Sequence, residues 1–155
     1  MHRWLLPLLL VVVGCGDRRA TPFLGKWHGA FVVKAVDQGT RTPLSAQAWS
    51  YRADLIIYVR KFELRLDGPQ QGIVVRGTYE VREGRGITLR PTTVTIDDGG
   101  GIDKRNPNLP YYPNDATTAF FSRPIPLRLS GESKLEGVRD RWANVSGALE
   151  ITRDE

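Results

Sequence analysis

The chain has 155 residues, with 22 Lys or Arg against 17 Asp or Glu, one cysteine and two histidines. That length supports one domain around a single core, and a lone cysteine excludes an intrachain disulfide. The net charge of +5 is mild, and its basic residues are scattered singly rather than clustered. This argues against a nucleic-acid partner and for a solvated face leaning towards acidic headgroups.

In chain order, His2 and Arg3 make a short basic start, Trp4 to Val13 is an uninterrupted apolar run, and small Gly14 precedes Cys15. The run is about half the 20 or so apolar residues that a bilayer core requires, so a transmembrane anchor is not expected. The order of charge, apolar run, small residue and cysteine resembles the signal peptide and lipobox of bacterial lipoproteins. The resemblance implies cleavage before Cys15, a diacylglyceryl thioether on its sulfur and an acylated new amino terminus. Two or three chains suffice for stable anchoring where one alone binds marginally. Residues 1–14 are then signal, 15–22 lipidated cysteine and tether, and 23–155 the domain. Asp17 is not directly after Cys15, which departs from the enterobacterial inner-membrane retention signal, so the outer membrane is expected over the inner, with the domain facing the periplasm.

From Phe23 onward the apolar pattern has period two. Trp27, Phe31 and Val33 mark a first strand, followed by a polar loop from Asp37 to Pro43. Leu44 to Trp49 is read as a short helical turn. In Ala53 to Leu66, Ile56, Tyr58, Phe62, Leu64 and Leu66 share one parity and Arg60 interrupts it, which predicts a long bent strand or two strands meeting there. Asp67-Gly68-Pro69 is a turn. Ile73 to Arg82 is a strand with Val75, Tyr79 and Val81 alternating, Glu83-Gly84-Arg85-Gly86 is a hairpin turn, and Ile87 to Ile96 its partner strand. Ala119 to Phe121, Leu127 to Leu129 and Asn144 to Thr152 supply closing strands. Seven to nine strands with short turns predict an all-β domain, a sandwich or a single antiparallel barrel of about eight strands. The barrel is preferred because closure removes exposed edges.

Gly25-Lys26-Trp27, and the later order Phe62-Glu63-Leu64, Gly77-Thr78-Tyr79-Glu80-Val81 and Gly86-Ile87-Thr88-Leu89, resemble lipocalins and related calycin barrels. The resemblance implies that Trp27 closes one barrel end and stacks with an arginine from the end of the chain. Arg153 is the position-matched choice and Arg141 the alternative. Such a pair is structural, since cation stacking on an indole contributes about 0.5 to 2 kcal/mol. Inward positions of a small barrel are filled by side chains or line a pocket. Tyr58, Phe62, Leu64, Val75, Tyr79, Ile87 and Leu89 are placed there.

Chemistry-bearing patterns are sparse. His28 is the only histidine after the signal, so neither a histidine triad nor a histidine metal cluster is expected. No nucleophile elbow, Walker loop or dinucleotide fingerprint occurs. Asp97, Asp98 and Asp103 surround three glycines, but the spacing matches no EF-hand and Lys104 and Arg105 offset the charge, so a solvated loop is expected. Neither enzyme activity, metal nor cofactor is expected. The long proline-containing segment from Ile102 to Thr118 carries Tyr111 and Tyr112, which would cover the core edge, lie over a barrel mouth or grip a partner. Two functions follow. One is a lipid-anchored binding or envelope-maintenance module taking a small apolar ligand, with Tyr58, Phe62, Tyr79, Tyr111 and Tyr112 as binding residues. The other is a filled barrel docking another envelope protein through residues 102–118. A pocket of about 300 Å³ separates the two readings.

Overall fold

The computed structural model of the chain describes residues 18–36, 43–69, 71–97, 114–142 and 145–154. Cys15, the segment 1–14, and Tyr111 and Tyr112 lie outside the described residues.

Eight antiparallel strands close into one barrel in simple up-and-down order. They are β1 (Gly25–Val36), β2 (Pro43–Ile57), β3 (Phe62–Asp67), β4 (Gly72–Arg82), β5 (Gly86–Asp97), β6 (Ile125–Ser130), β7 (Lys134–Trp142) and β8 (Val145–Arg153). A 3-10 turn, Arg18–Phe23, precedes β1, and a helix α1 (Asn114–Phe121) lies between β5 and β6. Closure comes from β1 pairing with β8, from Trp27 opposite Arg153 to Ala35 opposite Val145. The architecture is all-β and compatible with a calycin-like fold. The 3-10 turn packs on the barrel through buried Ala20 and Phe23.

Alternation builds the core. Trp27, Phe31 and Val33 face inward from β1, Ile73 and Val75 from β4, and Ile87 and Leu89 from β5. The outward positions carry charges that pair across strands. Arg52 stands opposite Asp67 with a 3.0 Å contact, and Glu63 opposite Arg76 with one of 2.7 Å. Such cross-strand pairs each contribute about 0.2 to 1 kcal/mol at an exposed surface, which accounts for basic residues spaced singly along strands.

Three segments differ from the sequence expectation. Residues 44–49 belong to β2 rather than a helical turn, because β1 is long enough to template them: Val33 stands opposite Trp49 and Lys34 opposite Ala48. Ala119 to Phe121 ends α1 rather than forming a strand. Phe120 and Phe121 are adjacent and both buried, which a strand with one wet face does not allow. Their rings meet edge to face at 4.9 Å, and Phe121 packs on Phe31 at 5.6 Å. β7 has no counterpart in the sequence reading. Among its described side chains, Leu135 is the large buried apolar residue, flanked by Lys134 and Glu136, which pair at 2.6 Å.

Local backbone demands are met at two glycines. At Gly84, φ is 72° and Arg85 follows at 66°, two left-handed residues in succession that suit the tight β4–β5 hairpin. At Gly77 the β4–β5 register shifts, and a Cβ there would fall inside van der Waals contact with the Arg90 carbonyl. Only glycine lets the strands approach so closely.

Candidate functional site

Among the described residues, the inward side chains pack closely against one another. Phe62, Leu64, Val75, Ile87 and Leu89 are each at most 2% exposed, as their inward placement requires. A cavity among Phe31, Leu64, Phe121, Ile125 and Leu149 measures about 10 Å³, room for one water molecule. Among the described residues, no group of three or more His, Cys, Asp or Glu side chains gathers to hold a metal ion.

One of the seven residues placed inward differs. Tyr79 is half-buried against the core, whereas Tyr58 is 43% exposed. The reason is a change of parity. Leu55 and Ile57, not Ile56 and Tyr58, face inward on β2, and they pair with Leu64 and Phe62 on β3. A four-residue turn, 58–61, joins the strands, so Tyr58 opens that turn rather than continuing the inward row.

Trp27 sits where β1 begins and is 1% exposed. Its Nε1 donates to the Phe23 carbonyl at 2.9 Å, and the Arg153 guanidinium lies 4.6 Å from its ring centroid. Arg153 also donates to the Pro22 carbonyl, so one side chain ties the last strand to the 3-10 turn across the indole. His28, the next residue, points outward and pairs with Asp154. The cluster is built to close the barrel end.

The β2–β3 turn is the other organised feature at that end. The Tyr58 amide donates to the Lys61 carbonyl at 2.8 Å. The Tyr79 hydroxyl, reaching from β4, lies 2.9 Å from the Tyr58 carbonyl and 2.8 Å from that of Val59, so its proton serves both. Tyr58 and Val59 stay exposed, at 43% and 60%, and Lys61 Nζ lies 5.6 Å from the Tyr58 ring. Beside the turn is an open groove of about 350 Å³ whose polar lining includes Tyr58, Lys61, Glu63, Arg76, Thr78 and Thr92. Arg76 is held by Glu63 at 2.7 Å, and Thr92 Oγ1 donates to the Arg76 carbonyl at 3.3 Å. The charged lining is Lys61 and Arg76 against Glu63, so the groove carries one cation in excess of its ion pair.

Three of the five residues proposed for binding are among the described residues. Tyr58, Phe62 and Tyr79 lie at the end where the 3-10 turn sits, and Phe62 is core. Tyr111 and Tyr112 lie outside the described residues. Val59, Lys61 and Arg76 escaped the sequence reading. The available signal was the break in alternation at Tyr58-Val59-Arg60-Lys61, where two apolar residues meet two cations. The chain matches no protein-family model, no curated protein and no solved structure.

Proposed function

We propose that this protein is a lipid-anchored module of the bacterial cell envelope that works by contact rather than by catalysis or carriage. On this reading residues 1–14 are removed, Cys15 is acylated, and a lipocalin-like barrel is held at the periplasmic face of the outer membrane. The filled interior carries the choice between the two functions. Eight strands leave just enough width for side chains to occupy or a small ligand to displace, and here large side chains occupy it. This favours a protein partner over a small apolar ligand. The segment 102–118 is the docking element, with Tyr111 and Tyr112 as its contact residues.

Mass spectrometry of the amino-terminal peptide from envelope extracts tests the anchor. A diacylglyceryl thioether on Cys15 is expected, and unmodified Cys15 or retained signal residues would overturn it. Native mass against denatured mass of the extracted protein tests the filled core. Equal masses apart from the covalent lipid are expected, whereas a discrete excess lost on denaturation would restore the ligand reading. Photocrosslinking from positions 111 and 112 in intact cells should give one discrete adduct that the same probe at Arg123 does not.

A further inference from the structure

Strand order gathers the 3-10 turn, the start of β1, the turns 58–61, 83–85 and 131–133, and the end of β8 at one end of the barrel. We infer that this end is a membrane-docking face, seated on an anionic lipid surface with the Tyr58-Val59 turn tip among the headgroups. The inference rests on the proposed anchor at Cys15 for its placement, and on independent features of the barrel for its chemistry.

Charge separates between the two ends. Residues 18–26, 58–61, 82–85, 131–133 and 153–154 hold eight Lys or Arg against three Asp or Glu. Among the described residues of the opposite end, 67–69, 71, 97 and 114–124, one Lys or Arg stands against three Asp or Glu. A modest net charge thus becomes a polarised one, basic on the anchor side. A field of that sense orients the barrel before contact.

The turn tip adds apolar area where the charge is. Tyr58 and Val59 are large apolar residues left exposed, and Arg60 and Lys61 follow them directly. An aromatic ring with a polar edge suits the boundary between headgroups and acyl chains, and the long stems of Arg and Lys extend along it. The Tyr79 hydroxyl holds both tip carbonyls, so the tip is presented in one shape and little ordering is lost on binding.

Distance completes the argument. Three residues from Cys15 to Arg18 span at most about 11 Å. Beyond the Debye length of about 8 Å at physiological ionic strength the surface potential is largely screened, so these cations act when the face is seated on the surface, within the reach of that tether. Each cation brought to an anionic surface raises partitioning about fivefold.

The described core residues lie between Ala20 and Ile151, so the chain from residue 15 onward retains them all. That chain with Cys15→Ser, sedimented with phosphatidylcholine vesicles and with vesicles containing phosphatidylglycerol, gives the direct test. Partitioning should be at least about 25-fold higher on the anionic vesicles and fall as salt is added. Tyr58→Ser with Val59→Ser should reduce it about tenfold and Arg60→Ser with Lys61→Ser about 25-fold, while Arg123→Ser at the opposite end leaves it unchanged. Equal partitioning on both vesicles, no partitioning, or turn variants that bind like the parent would overturn the inference. The parent chain coupled through its one thiol to maleimide lipid needs no variant. Tyr58 should then be protected from hydroxyl-radical oxidation on anionic vesicles and not on neutral ones, and equal oxidation on both would overturn it. Neither measurement uses cellular acylation, so an unmodified Cys15 in envelope extracts would sink the anchor reading separately.

Discussion

Replacing Arg153 with alanine tests whether one side chain closes the barrel. Two interactions are lost, the guanidinium over Trp27 at 4.6 Å and the bond to the Pro22 carbonyl. Trp27 is 1% exposed, so the cation lies against a desolvated ring and its contribution falls in the upper part of the range of about 0.5 to 2 kcal/mol. A hydrogen bond from a charged donor adds about 1.5 to 3 kcal/mol. Against this, Arg153 Nε is buried without an acceptor among the described residues, and its removal relieves a desolvation cost of about 1 kcal/mol. The net expectation is a loss of about 2 to 3 kcal/mol, or a melting temperature lower by about 10 °C for a domain of this size. Urea unfolding followed by tryptophan fluorescence reads the free energy, and a cycle with Trp27→Phe isolates the stacking contribution. A loss below about 0.5 kcal/mol would refute the reasoning, because the side chain would then be an ordinary surface arginine.

Three further outcomes follow from the same geometry. Leu64→Ala, in the middle of the filled core and bordering the small cavity, should cost about 2 to 5 kcal/mol in a denaturant titration. Tyr79→Phe removes the proton shared by the Tyr58 and Val59 carbonyls, so it should cost about 1 kcal/mol and speed amide exchange in 58–61 while leaving β1 and β8 protected. The Arg90 hydrogen bond holds the Glu80 carboxyl below the ordinary glutamate range. A folded-state value below the unfolded one means that the pair contributes above the ordinary range and that its contribution is lost as pH falls through the depressed value. Acid titration of stability should therefore be shallower for Glu80→Gln than for the parent at low salt, and the difference should shrink as salt is added, since both groups are exposed.

Much of the barrel was legible because alternation is local. Trp27, Phe31 and Val33, then Ile73 and Val75, then Ile87 and Leu89 declare which way they face from spacing alone. The pairing of Trp27 with a late arginine was reachable only through a family resemblance, since nothing in local spacing brings residue 153 to residue 27. β7 stayed hidden because Leu135 is the one large apolar residue known to face inward between charged neighbours, too thin a pattern to declare a strand. Tyr58 was misplaced because parity changes across a turn whose length the pattern does not specify.

Composition and periodicity determined an all-β chain with a single core, no disulfide, and a start that resembles a lipoprotein signal. Tertiary structure decided the rest. Whether alternate residues fill a barrel or line a pocket depends on strand number and on how eight inward rows interlock, and here Phe31, Leu64, Phe121 and Leu149 meet with about 10 Å³ between them. Which turns share an end depends on the count of strands between them. That count sets Tyr58, Val59 and the basic residues of turns 58–61 and 83–85 beside the 3-10 turn and sends α1 to the other end. A scattered basic excess in one dimension becomes a charged face in three because antiparallel strands return every second turn to the same side.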